Sequence, residues 1–179
     1  LWNKGGVLGI VTAWHCLTGT HPHTRQPLSP ETGARPNKVE VSLLMNDCGQ
    51  GSFFIDLYDE DGAPIWYIHP LGFAEIDLAV IYIGAELPVG AINVAVNQIE
   101  CLDWTVTVGS DLFILGYPRN LHRMGLPIWK RASLAIDFDA TLDEPGQRHL
   151  LVDTASREGM SGALVIARSN GPITLATGD

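Results

Sequence analysis

Short apolar runs rich in β-branched residues recur along this chain, and glycine, proline or aspartate interrupts nearly every gap between them. Runs of that length and composition fit strands, and no stretch sustains the 3.6-residue period of an amphipathic helix. Residues 7–14, 39–44, 53–58, 65–68 and 78–83 form a first set. Residues 104–108, 112–115, 128–136, 149–152, 163–167 and 173–176 form a second. Asp59-Glu60-Asp61-Gly62 is a hairpin-turn signal, because Asp-Gly tolerates positive φ. Many short strands without intervening helices predict an all-β fold, built as antiparallel sandwiches or barrels. Two β halves are expected, over residues 1–90 and 91–179, meeting near residues 84–103, and 91–101 is the most weakly patterned stretch, a linker with short strands.

With 179 residues, 46% of them apolar and 17% charged, the chain can bury a real core and does not read as disordered. A net charge of −9 argues against nucleic acid or an anionic membrane as partner. Arg119, Arg123, Lys130 and Arg131 form the basic cluster, read as a solvated loop face. No apolar run approaches the roughly 18–20 residues of a spanning helix. The opening Leu1-Trp2-Asn3-Lys4-Gly5-Gly6 lacks the order of a signal peptide. The 3 cysteines, Cys16, Cys48 and Cys101, cannot all pair within one chain and make no CxxC. Free thiols in a reducing compartment such as the cytoplasm fit best, with one disulfide plus one thiol left open. Residues 21–37 form a long polar loop with four prolines, Pro22, Pro27, Pro30 and Pro36.

The chemistry gathers at three places. Gly159-Met160-Ser161-Gly162 sets a serine between glycines that allow a sharp turn. A serine hydroxyl attacks well only when a base takes its proton and donors stabilise the resulting oxyanion. His15, at the end of the first apolar run, offers a base of suitable strength. Asp77, at the head of the apolar stretch Leu78-Ala79-Val80-Ile81, needs a partner if it is buried, and an imidazole N–H is one. Read singly, each has a bland alternative: a structural histidine, a turn aspartate, a turn serine. The order His, Asp, Ser is one of the chain orders in which a catalytic triad occurs.

Thr12-Ala13-Trp14-His15-Cys16 resembles the histidine motif of chymotrypsin-like serine proteases. Asp77-Leu78-Ala79-Val80 resembles their aspartate motif, and Gly159-Met160-Ser161-Gly162 their Gly-x-Ser-Gly motif. Asp153-Thr154-Ala155 and Gly116-Tyr117-Pro118 are similar to segments of the bacterial HtrA-type branch. The resemblance implies two six-stranded antiparallel barrels and a serine endopeptidase acting through an acyl-enzyme. It implies His15 as general base and acid, Asp77 as its orienter and Ser161 as nucleophile. The oxyanion hole would be the N–H groups of Gly159 and Ser161. Thr154 and Ala155 would line the substrate site, with a peptide or protein as substrate and neither cofactor nor metal.

The chain departs from that pattern in several ways. Met160 stands where the zymogen-activated branch has an aspartate that pairs with a new N-terminus, so that activation route does not apply. Ala155 replaces the acid of trypsin itself, which implies a neutral pocket for small or medium apolar side chains. Cys16, without an upstream partner, reads as a small buried hydrophobe. The family's glycine-rich first hairpin would lie before Leu1, and the strands that follow the serine are cut short after 173–179, so the barrels read as incomplete at both ends. Two other functions stay open: a catalytically inactive or chaperone-like peptide-binding module on the same fold, and a metal site built from His15, Cys16, His21 and His23. His69, His122 and His149 belong to no constellation.

Overall fold

The computed structural model describes residues 1–73, 76–84, 87–92, 94–101, 103–118, 126–137, 150–155 and 159–169. The fold is nearly all β, as the sequence pattern predicts, and its strand pairs are antiparallel. Among the described residues the sheets stay open and close into no barrel. The chain divides into two compact units, Leu1–Ile99 with Arg123–Leu126, and Glu100–His122 with Pro127–Asp179.

The first unit opens with a hairpin of β1 (Trp2–Lys4) and β2 (Val7–Thr12), with Lys4 opposite Val7. Gly5 and Gly6 connect them, both at positive φ (60° and 88°). That pair of angles is what a two-residue hairpin turn with the native strand twist requires. Next come α1 (Trp14–Thr18), β3 (Lys38–Leu44), β4 (Gln50–Asp56), β5 (Trp66–Ile68) and β6 (Ala79–Gly84). One sheet has the order β1-β2-β6-β5, and β3 and β4 make a separate two-stranded ribbon. The turn after β4 is built on Asp59, whose Oδ1 accepts the N–H groups of Asp61 and Ala63 at 3.1 and 2.7 Å.

On β6, Ala79 and Ile81 face inward and are fully buried, while Val80 and Tyr82 face outward, the two-residue alternation of a one-sided sheet. Trp14, Leu17 and Leu57 complete this core, and burying each large side chain contributes roughly 1.5–3 kcal/mol. Stretch 91–101 contains one short 3-10 turn, Val96–Gln98, pinned to β1 by Asn97, which exchanges hydrogen bonds with the Asn3 backbone at 2.9 and 2.7 Å.

The second unit is a four-stranded sheet of β7 (Asp111–Gly116), β8 (Ile128–Leu134), β9 (Val152–Asp153) and β10 (Leu164–Ala167), in the order β10-β7-β8-β9. Leu112, Ala132 and Leu134 centre its core. Among the described residues, the expected strand over 104–108 is reduced to a bridge at Trp104. A turn intervenes, with Ser110 N–H donating to Thr107 O at 2.9 Å and Gly109 at φ 88°, and Val106 alone of that stretch joins the core. Lys130 and Arg131 lie on β8 and not on a loop. Arg131 makes a bidentate pair with Asp111 at 2.7 and 2.9 Å, whereas the Lys130 ammonium is buried without a hydrogen bond among the described residues. The expected strand 173–176, His149, and Arg119 and Arg123 lie outside the described residues. No helix among the described residues is long and apolar enough to cross a membrane.

Candidate active site

The ladder between β2 and β6 is antiparallel, with Thr12 opposite Ala79 at one end. The chain that leaves β2 after Thr12 therefore runs beside the chain that enters β6 before Ala79. This register closes a separation of 62 residues and brings His15 to Asp77. His15 does not end the strand, as its sequence position implied. It lies in the first turn of α1, a helix capped at its C-terminus by Gly19 in the left-handed conformation (φ 63°).

Ala13 is the N-cap residue of α1 and has no polar side chain to cap it. The first N–H groups of a helix need outside acceptors, and a good cap is worth about 1 kcal/mol. Asp77 supplies that acceptor from another segment: its Oδ1 takes the His15 backbone N–H at 3.0 Å. Its Oδ2 faces Nδ1 of the same residue at 2.5 Å. A carboxylate only accepts, so the Nδ1 proton is the one donated. The other ring nitrogen, Nε2, is then left with its lone pair free for a proton. One carboxylate thus fixes the position, the ring orientation and the tautomer of the histidine, and the two side chains remain 22% and 30% exposed.

Cys16 is not the buried hydrophobe that the sequence suggested. Trp14, Leu17 and Thr18 form the buried face of α1, and Cys16 projects from its other side. Although the residue is exposed, partial desolvation of its sulfur pushes the thiol above the ordinary range, the Asp77 charge adds to this, and a hydrogen bond with Thr12 opposes it. The thiolate, the nucleophilic form, is therefore scarce at neutral pH. Alkylation of Cys16 by iodoacetamide should be slow at neutral pH and accelerate only on the alkaline side. Asp77→Asn removes the raising charge and should speed it at any fixed pH. Peptide mass spectrometry against time measures both, and equal rates in the two proteins would contradict this account. Cys48 is likewise free and exposed, and Cys101 is exposed.

Ser161 belongs to the second unit, on the turn that leads into β10. Ala163 N–H donates to Met160 O at 3.0 Å, and Gly162 holds φ 75° at the third position of that turn. A hydrogen-bonded turn with positive φ there is the type II pattern, which demands glycine. Gly159, at φ 84°, is the second position where only glycine is relaxed. Ser161 is exposed on this turn. Met160 is anchored beneath it. β10 pairs with β7 so that Leu164 faces Leu115, which puts Gly116 under the start of the strand. A Cβ on Gly116 would stand 2.9 Å from the Met160 sulfur and 3.1 Å from the Ala163 Cβ. The absent side chain of Gly116 is the room into which Met160 packs, a contact the sequence gives no sign of. Thr154 hydrogen-bonds through its hydroxyl to Arg131 O at 3.3 Å, and Ala155 follows it, exposed.

The site residues thus fall in two groups. His15 and Asp77 are joined in the first unit, and Thr154, Ala155, Gly159 and Ser161 lie in the second. Among the described residues, no three His, Cys, Asp or Glu side chains converge as metal ligands. His21 Nδ1 is already occupied, accepting the N–H groups of His23 and Thr24, each at 3.2 Å.

No family model matches this chain, and no curated protein matches it in sequence. Among solved structures, it is similar to Deg5, with a TM-score of 0.53 and 17% identity over 93% of this chain. It spans 66% of the Deg5 chain. It also superposes on the apo form of the MamO protease domain from Magnetospirillum magneticum, with a TM-score of 0.46 and 15% identity over 95% of this chain and 74% of that one. The first likeness supports a chymotrypsin-like all-β fold for this protein.

Proposed function

We propose that this protein is a serine-type endopeptidase in which Ser161, His15 and Asp77 act as one unit. The observation that carries the reading is the double grip of Asp77 on His15, through its backbone N–H and its Nδ1. A structural histidine needs neither a fixed tautomer nor a free Nε2, and this arrangement provides both. In the proposed reaction Nε2 takes the Ser161 proton as Oγ attacks a peptide carbonyl carbon. The tetrahedral oxyanion is held by the N–H groups of Gly159 and Ser161, each worth about 3–4 kcal/mol of transition-state stabilisation. The imidazolium then gives its proton to the departing amine, and water hydrolyses the acyl-enzyme by the same steps. Asp77 stays ionised and stabilises the imidazolium throughout.

Reaction with a fluorophosphonate tests the reading, since phosphonylation needs an activated serine but no knowledge of the substrate. Covalent labelling at Ser161 supports it. A folded protein that remains inert at neutral pH contradicts it and favours a peptide-binding module on the same fold.

Ala155 supports a neutral specificity pocket, because it places no charge opposite a cationic side chain. A peptide library varied at the residue before the cleaved bond should be cut mainly after small or medium apolar side chains. Cutting mainly after Arg or Lys would overturn that assignment while leaving the triad untouched.

A further inference from the structure

Side chains from three separate segments form one column beside the His15–Asp77 pair. Trp14 opens α1 and immediately precedes His15. Phe73, on the segment that leads to Asp77, stacks flat on it, with ring centroids 3.9 Å apart and 6° between the planes. The Arg25 guanidinium lies over the Phe73 ring at 4.1 Å, so both faces of that ring are covered.

The segment around Phe73 needs such a hold. Among the described residues, the hydrogen bonds of 69–78 to neighbouring backbone are short-range: Gly72 N–H to His69 O, Ile76 N–H to Gly72 O and Leu78 N–H to Ile76 O. No strand partner fixes Asp77 until β6 begins at Ala79. The backbone of Arg25, by contrast, is held by hydrogen bonds, although the residue is exposed. It adopts φ 60° at the tip of the long polar loop, with its N–H on His21 O at 3.0 Å. His21 N–H donates to Gln26 O at 2.9 Å and Leu28 N–H to Gly19 O at 2.7 Å, which ties the loop to the end of α1.

We propose that Arg25 is a positioning residue: it clamps Phe73 onto Trp14 and so holds the Asp77 carboxylate in register with both donors of His15. A catalytic pair must be held to within about 0.5 Å by groups that are themselves locked, and the loop tip supplies that lock from outside the site. The functional meaning of this clamp rests on the reading of His15 as a general base. Its geometric claim concerns the pair alone.

The test is proton NMR of the His15 Nδ1 hydrogen, assigned by its loss in His15→Ala, with its exchange with water measured in the full chain. Arg25→Ala should speed that exchange roughly three- to fivefold, the scale of an exposed cation–π contact. Arg25→Lys should restore part of the protection, and Arg35→Ala, on the same loop, should change nothing. If Arg25→Ala does not fold, Arg25→Met keeps the aliphatic stem, removes the guanidinium plane and should show the same acceleration. Exchange equal to the parent protein in the folded Arg25 variant, or equal acceleration by Arg35→Ala, overturns the proposal. The readout requires no hydrolysis. Faster exchange in a protein inert to fluorophosphonate would uphold the clamp and sink the protease reading, and the converse pattern would do the reverse.

Discussion

Ser161→Ala should abolish fluorophosphonate labelling and lower peptide hydrolysis by about 10⁶-fold, the loss seen when the nucleophile of a working triad is removed. The fold should be unaffected. Ser161 is exposed on its turn, and the type II geometry is set by Gly162 and by the Met160 anchor against Gly116, not by the serine hydroxyl. Circular dichroism and thermal melting of the variant should therefore overlay the parent. Labelling that persists at full rate in Ser161→Ala would move the reactive nucleophile elsewhere. Cys16 is a poor candidate, because partial desolvation of its sulfur and the charge of Asp77 both disfavour its thiolate.

Asp77→Asn should lower turnover by about 10⁴-fold with little change in stability. Both halves of that expectation follow from the two bonds Asp77 makes. An asparagine oxygen can still accept the His15 backbone N–H that Asp77 takes at 3.0 Å, so the start of α1 stays capped. The asparagine amide, however, would face Nδ1 as a donor. The imidazole would then carry its proton on Nε2, where Ser161 needs a base. Asp77→Ala, which removes both acceptors, should cost stability as well, by about 1 kcal/mol for the lost cap alone. Equal turnover in Asp77→Asn and the parent protein would show that the tautomer of His15 has no part in the chemistry.

Most of the architecture could be read from the chain because strands announce themselves. The partly alternating run 39–44, the apolar run 53–58 and the Asp-Gly turn between 59 and 62 correspond to β3, β4 and the Asp59 turn, with bounds shifted by one to three residues. Gly5-Gly6 was an equally strong hairpin signal, but β1 is only Trp2–Lys4, too short to show a pattern. The stretch 104–108 misled in the other direction. Its apolar-polar alternation mimics a strand, yet Ser110 and Gly109 bend it before a ladder can form. Helix α1 was invisible because a single turn has no period to detect, and its missing N-cap is made good by a residue far along the chain.

The candidate site shows the same division. The types and order of His15, Asp77 and Ser161 are local facts and can be read directly. The reasons they sit where they do are not local. The β2–β6 register, the Met160–Gly116 packing and the Arg25–Phe73–Trp14 column each join residues distant in sequence, and none leaves a mark in spacing or composition. Cys16 was misread for a related cause: its burial depends on which face of a helix it occupies, and the helix itself was hidden.

The most direct measurement is a crystal structure of the protein after reaction with a fluorophosphonate. The expected result is phosphorus bonded to Ser161 Oγ, His15 Nε2 within about 2.6–3.2 Å of that oxygen, and the Gly159 and Ser161 N–H groups donating to the phosphoryl oxygen. A His15 ring far from hydrogen-bond reach of Ser161 in the reacted protein, or phosphorus on another side chain, would contradict it.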